Sequence, residues 1–265
     1  FSRDNHIELK TVFRQRDPIY REILAEARNG QLSAKSVTIL ESRLGLKFDP
    51  EEHNGCVPTK IFATRTNVDY VNRIQYTRLK TEEYVYNYSN CSTNIIYIET
   101  GQPIPSIKLS ECSKLSHEDV AYESRKLLDS SNFQQILRLK IGTVVMCIVN
   151  IDMDNGICNG SQGIVIAFRE KSQTDTTLYP VVKFHNGLYK LMLPYSRQNE
   201  DYPSISIGQV PLVPAWAISI HKCQGATMDI AEIDIGTSIF EYGQSYVALS
   251  RVKDLEGLYL SGFDP

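Results

Sequence analysis

The sequence predicts an α/β unit interrupted by a small inserted β-barrel, and three observations predict it. Over the first 80 residues helical periodicities alternate with short apolar strands, the pattern of a layered α/β unit. Between about 139 and 208 the texture changes to short, closely spaced strands separated by Asn-Gly turns. From Pro211 the α/β alternation resumes, and an apolar run, Ala215 to Ile220, stops abruptly at His221-Lys222-Cys223-Gln224-Gly225. A strand running into a polar loop is where an α/β sheet delivers side chains to a ligand, and a helix is expected after that loop. The expected division is residues 1–138 and 209–265 for the two parts of the α/β unit and 139–208 for the insertion.

The elements follow in order. Ile7 to Phe13 alternates weakly as a short strand. Asp17-Pro18 is an N-cap with proline in the first turn; Ile19, Tyr20, Ile23, Leu24 and Ala27 share one helical face, and Asn29-Gly30 ends it. A second helix starts near Ser36, with Val37, Leu40 and Leu44 inward and Gly45 as its stop. Lys60 to Thr64 is a compact strand, after which Asn67 caps a helix with Val68, Val71, Ile74 and Leu79 inward. Residues 81–115, rich in Tyr, Ser, Asn and Thr, offer one strand, Ile95 to Ile98. Ser116 to Asp119 reads as a capping box heading a helix to about Leu128. In the insertion, Val144–Val149, Gly163–Phe168, Tyr179–Phe184 and Leu188–Leu193 are strands, with turns at Asn155-Gly156, Asn159-Gly160 and Asn186-Gly187. The chain closes with a strand Ile230–Ile235, a Thr237-Ser238 cap, a helix through Tyr242–Val252, and a strand Leu258–Phe263.

Composition bounds the function. The 265 residues are 42% hydrophobic and 22% charged, ordinary for a globular chain with a sizeable core. Net charge is −3, yet residues 1–80 hold 14 Lys+Arg against 10 Asp+Glu, leaving −7 for the rest. Nine of those cations are arginines, the side chain best suited to phosphate, although surface charge alone also accounts for the excess. The six cysteines form no C-x-x-C pair, so neither zinc nor a disulfide framework is expected, and reduced thiols in an intracellular compartment are the default. No apolar run approaches the roughly 18 residues of a membrane span, and no signal peptide is visible. The chain opens on Phe1 and is expected to be a fragment or a processed piece.

Four ordered blocks carry a resemblance. They are VFRQRDP (Val12–Pro18), LKIGTVVMCIVNID with NGSQGIVIAF (Leu139–Phe168), AWAISIHKCQGAT (Ala215–Thr227), and YGQSYVALSRV with GLYLSGFDP (Tyr242–Pro265). Together they resemble the C-terminal half of the petite integration frequency type (Pif-type) DNA helicases of superfamily one, motors that move 5′ to 3′ on single-stranded DNA and serve DNA repair, recombination and replication. The resemblance covers most of the chain and is weakest between about 81 and 135. It implies that the α/β part is a second RecA-like motor domain and that the insertion is a barrel of Src-homology-three type. It also implies a partner: an N-terminal RecA-like domain bearing the phosphate loop and holding ATP and Mg2+. The chain contains no Gly-Lys and no Asp-Glu dipeptide, the signatures of that domain. By itself it is therefore expected not to hydrolyse ATP.

The resemblance assigns roles residue by residue. Arg251 is the arginine that reaches the γ-phosphate, and Arg14 a second phosphate contact; a fixed guanidinium stabilises charge building on a transferring phosphoryl group. Gly243 and Gln244 lie near the nucleotide. His221 and Lys222, supported by Ser219, hold phosphates of single-stranded DNA, and Thr64 and Asn67 touch the same backbone. Gln224, Gly225 and Thr227 couple nucleotide state to the DNA track. Against each stands a plainer reading: an exposed helix arginine for Arg251, a strand-end charge for Arg14, a structural histidine for His221, a helix cap for Asn67. Cys223 departs from the serine usual in the family, and a thiol is the weaker donor. No residue is assigned to a metal and no membrane is implied. The alternative function is a stand-alone single-stranded nucleic-acid-binding or docking module without ATPase activity.

Overall fold

The computed structural model describes residues 12–51 and 57–265. The expected strand at Ile7–Phe13 falls mostly outside them; Val12 and Phe13 are in no strand. Helix α1 (Pro18–Asn29) starts as expected, with the Asp17 carboxylate accepting from Ile19 N, and ends on left-handed Gly30. Its buried face is Tyr20, Ile23 and Leu24, whereas Ile19 turns outward at 44% exposure. Helix α2 (Ala34–Ser42) begins two residues before the expected start, with Ser33 as its N-cap. It buries Leu40, while Leu44 lies past the helix end and is exposed.

Strand β1 (Thr59–Phe62) leads into helix α3 (Arg65–Arg78). Here the N-cap position belongs to Thr64, not Asn67; Asn67 sits inside the first turn and faces out. No residue of α3 is fully buried; Val68, Val71 and Ile74 are half-buried. Asn72 anchors the helix instead, its amide exchanging two 2.9 Å hydrogen bonds with the backbone of Ala217.

The stretch from 81 to 135 holds more order than its composition suggests. Strands β2 (Glu83–Asn87) and β3 (Ser89–Cys91) precede helices α4 (Ser106–Cys112) and α5 (His117–Ser130). The capping box on Ser116 and Asp119 forms as expected. Ile95 to Ile98 forms no strand, only an isolated bridge from Ile96 to Pro103. Strand β2 pairs antiparallel with β4 (Ile136–Lys140), some 50 residues later, so its partner was not adjacent in sequence.

Strands β5 (Val144–Cys147), β6 (Gln162–Ser172), β7 (Asp175–Phe184) and β8 (Tyr189–Leu191) form an antiparallel ladder, joined at its other edge by β11 (Leu212–Pro214). Strands β9 (Tyr195–Gln198) and β10 (Ser206–Gln209) make a second sheet with β3. The β region thus draws in 83–91 and 212–214, beyond the expected 139–208. Leu137, Leu139, Val145, Val165, Val182, Phe184 and Leu212 share its core. Tyr84 stacks on Phe168 with ring centroids 3.8 Å apart, laying the β2–β4 pair over the larger sheet. Gln162 ties the region to the α/β core: its Nε2 donates to Thr59 Oγ1 at 2.8 Å, and its Oε1 accepts from Ile230 N.

The four remaining strands, β12 (Ala217–Ser219), β1, β13 (Ala231–Ile235) and β14 (Leu258–Phe263), form a wholly parallel sheet in the order β12-β1-β13-β14. Ile61, Ile218, Ile233 and Leu260 from the sheet pack in one core with Tyr20, Ile23, Leu24 and Leu40 of the helices. Two expectations fail near the sheet. The helix foreseen after the His221 loop does not form; residues 220–225 are successive turns closed by Cys223 N donating to Ser219 O and Ala226 N to Cys223 O. Thr227 N is then committed to Asn159 O in the β region, which ends any helical continuation. Likewise Thr237-Ser238 lies in a turn, and helix α6 (Gln244–Leu249) begins only after left-handed Gly243.

Candidate nucleotide and nucleic-acid site

Parallel strands place their loops at a common edge, and β1 and β12 do so in register, Phe62 opposite Ser219, with Ile220 N donating to Phe62 O at 3.0 Å. Thr64 and the His221 loop therefore emerge side by side. That loop has two faces. His221, Lys222 and Gln224 are exposed, and their side chains form no hydrogen bond or ion pair among the described residues. Cys223 and Ala226 point inward at 0% and 2% exposure.

The inward face resolves the one irregular residue. Cys223 Sγ donates to Ile220 O at 3.1 Å, and burial pushes its thiol up to about 12. Cys223 is thus a packed, un-ionised core residue and not a surface contact. Ser219 is also buried, its hydroxyl accepting from Lys222 N at 3.4 Å, so it shapes the loop without facing outward. Thr64 is half-buried, its hydroxyl making no cap bond, and Asn67 is exposed one turn later. A narrow cleft of about 80 Å³ runs beside Lys222, bounded by Asp69 and Asn72 of α3, by Asn132 and Gln134, and by Asn159. Asn132 and Gln134 lie in a region where the sequence offered no motif.

Arg14 and Arg251 converge on the other side of the loop. Arg14 Nε donates to Thr227 Oγ1 at 3.0 Å and its Nη1 to Ser250 O at 2.9 Å. Arg251 lies just past α6 rather than within it; its Nε donates to Val247 O at 2.8 Å and its Nη2 to Ser250 Oγ at 2.7 Å. Both are half-buried, and neither forms an ion pair among the described residues. Burial first, then the charge of Arg14, lowers the pKa of Arg251, although a guanidinium stays charged at any working pH. Two like charges held together by carbonyl and hydroxyl acceptors form a receptor for an anion. Arg16, two residues on, is exposed and makes none of these bonds.

A groove of about 820 Å³ opens over this pair and runs along α1 past Arg21 and Arg28, cations that no motif had flagged. Gln244, at 5% exposure, accepts from Phe240 N at 3.4 Å, and its Nε2 is a buried donor without a partner among the described residues. Gly243 precedes it at φ 78°, a conformation that starts the helix abruptly and that a side chain would resist.

Thr227 joins the two sides: its hydroxyl takes the Arg14 hydrogen bond while its backbone N donates to Asn159 O at 3.2 Å. Gly160, at φ +98°, lies so close that a Cβ would stand 2.5 Å from both Thr227 N and O. The Asn159-Gly160 turn is therefore a docking point between the β region and the loop. Gly225 (φ +85°) completes the turn opposite Asn159.

Among the described residues no group of three or more His, Cys, Asp and Glu is arranged to hold a metal ion, and no helix is long and apolar enough to cross a membrane.

The geometry can be set beside known proteins. A family model described as the 2B domain of the DNA helicase Pif1 matches residues 126–168. The ATP-dependent DNA helicase PIF1 of Emericella nidulans is 30% identical over 308 residues, covering 98% of this chain and 37% of that protein. A crystal structure of Pif1 helicase from Candida albicans superposes with a TM-score of 0.61 at 29% identity, over 97% of this chain and 56% of the other. The Bacteroides Pif1 helicase in complex with ADP-AlF3 and ssDNA gives a TM-score of 0.53 at 25% identity, over 98% of this chain and 52% of that one. The chain thus spans less than two-fifths of the curated relative's length and about half of the solved chains. With similarity running across nearly all of its sequence and a 2B-domain match inside it, the chain resembles the Pif1 helicases.

Proposed function

We propose that this chain is the C-terminal motor half of an ATP-dependent 5′-to-3′ DNA helicase. In this reading 1–138 and 209–265 form a second RecA-like domain, and 139–208, with the strands that join it, an inserted barrel of Src-homology-three type. The observation that carries the reading is the convergence of Arg14 and Arg251 on Ser250, half-buried and without a carboxylate partner among the described residues, at the mouth of a groove. A module that only bound nucleic acid would have no use for such a pair. Here the two guanidinium groups meet the terminal phosphates of ATP held by an N-terminal RecA-like domain. Gly243 and Gln244 border the same nucleotide. In this reading Mg2+ is held together with ATP by that other domain.

His221 and Lys222 grip the phosphate backbone of single-stranded DNA from the far face of the loop, with Thr64 and Asn67 beside them. Gln224, Gly225 and Thr227 carry movement from one face to the other. ATP binding draws the domains together and puts phosphate charge against the arginines; loss of the γ-phosphate releases it. The Bacteroides relative bound to ADP-AlF3 and ssDNA supports both ligand classes.

The test is DNA-stimulated ATP hydrolysis by the full-length protein carrying this chain. Arg251→Ala should lower kcat by about a thousandfold, the scale of an arginine acting on a transferring phosphoryl group, while affinity for an oligo-dT strand without nucleotide stays unchanged. This chain expressed alone should show no DNA-stimulated ATPase activity. Wild-type kcat in Arg251→Ala would overturn the role given to Arg251, and a full-length protein without DNA-stimulated ATPase activity would favour the stand-alone binding module.

A further inference from the structure

Gln15 carries no role in the reading above, yet it is the most committed side chain of its segment. It is 5% exposed. Its Nε2 donates to Ser250 O at 2.9 Å and to Val252 O at 3.0 Å, the two carbonyls that flank Arg251. Both hydrogens of a single amide are thus used on either side of one arginine. Ser250 O is shared, since it also accepts from Arg14 Nη1 at 2.9 Å. Tyr20 hydroxyl adds a 2.6 Å bond to Leu249 O.

The need for such bonds is physical. Carbonyls at the end of a helix lack intrahelical partners, and a helix of six residues does not hold its own shape. Arg251 curls back onto Val247 O and Ser250 Oγ, so its guanidinium sits wherever the 250–252 backbone puts it. Arg14 and Arg251 also repel each other, which works to push that backbone away.

We propose that Gln15 is a positioning residue for Arg251: by holding Ser250 O and Val252 O it fixes the backbone from which the guanidinium reaches its anion. This rests on the reading of Arg251 as the arginine that acts on the γ-phosphate. An arginine that stabilises transition-state charge must be in place before the charge develops, within roughly half an ångström. Loss of Gln15 leaves Ser250 O to Arg14 alone and Val252 O without this donor. The cost then falls on the chemical step and not on nucleotide or DNA binding.

The experiment uses the full-length protein in four forms: wild type, Gln15→Met, Arg251→Ala and the double variant. Gln15→Met should lower kcat for DNA-stimulated ATP hydrolysis about tenfold, with KM for ATP and nucleotide-free oligo-dT affinity unchanged. In the Arg251→Ala background the same substitution should change nothing further. Binding of ADP with aluminium fluoride should weaken by the same factor while binding of ADP alone does not. Wild-type kcat in Gln15→Met, or losses that multiply in the double variant, overturns the positioning role and leaves that of Arg251 standing. Wild-type kcat in Arg251→Ala overturns the underlying reading and this one with it. If Gln15→Met loses oligo-dT binding and so has not folded, Gln15→Asn, one methylene short of the carbonyl pair, carries the same expectations and is overturned by the same results.

Discussion

The two faces of the 221–227 loop are built on opposite principles. On one, Arg14 and Arg251 each make two hydrogen bonds to the protein and are half-buried. On the other, His221, Lys222 and Gln224 are exposed and make no side-chain bond among the described residues. A group that must meet charge developing on a phosphorus atom gains from being fixed in advance. A group that must hold and release a moving strand gains from long side chains free to follow it. Cys223, Ala226 and Thr227 lie between the bonded arginines and the unbonded exposed face.

Four substitutions or conditions probe that contrast beyond the loss at Arg251. The largest effect on stability is expected at the joint. Gly160→Ala puts a methyl against Thr227 N and O at a backbone angle that resists it, and should cost about 3 kcal/mol in urea unfolding. Because the displaced atoms are those of Thr227, DNA stimulation of the ATPase should fall further than the basal rate.

Next comes the buried thiol beneath the loop. Cys223 in the folded chain ionises only near 12, against 9.0 when free, because burial disfavours the thiolate. The native state therefore keeps its proton where the unfolded state releases it, so this contribution is intact below pH 9 and is lost as pH rises toward 12. From pH 8 to pH 10 it amounts to about 1.4 kcal/mol. Cys147, pushed up to about 11, acts in the same direction. Cys223→Ser should flatten the alkaline limb of the stability curve, measured by denaturant midpoints at both pH values; an unchanged limb would show that the inner face is not dry.

Thr227→Val tests the link itself. It removes the acceptor for Arg14 Nε in a partly buried site and should cost about 1 kcal/mol. KM for ATP should rise while oligo-dT affinity holds. The smallest effect is expected at the exposed face, where Lys222→Ala should weaken oligo-dT binding roughly fivefold and lower the salt slope of binding by about one, leaving the melting temperature unchanged. A loss of stability in Lys222→Ala would erase the distinction between the faces.

Legibility in the sequence followed the range of the interactions. The Asp17-Pro18 start, the Gly30 stop, the Ser116 capping box and the β14 strand were readable because each is decided within a few residues. The strands β2 and β3 were not, since Tyr- and Ser-rich segments become strands only when β4 and β10 arrive to pair with them. Asn67 was misread as a cap because capping chemistry does not say which of several polar residues stands where the chain turns; Thr64 does. The helix expected after the His221 loop failed for a related reason: Thr227 N goes to Asn159, nearly 70 residues away in sequence. Gln15 gave no signal, since its partners Ser250 and Val252 lie some 235 residues on.

The sequence by itself determined the α/β class, the run of short strands in the middle, and the blocks FRQ, SIHKCQGAT and GQSYVALSRV. Residue type and near-neighbour spacing suffice for those. Only the tertiary structure decided that Arg14 and Arg251 meet at Ser250, one on its carbonyl and the other on its hydroxyl, that Cys223 faces the core, and that the Asn159-Gly160 turn locks against Thr227. Those are contacts between segments far apart along the chain. Their partners are selected by the packing of the sheet and the β region, and no local pattern records it.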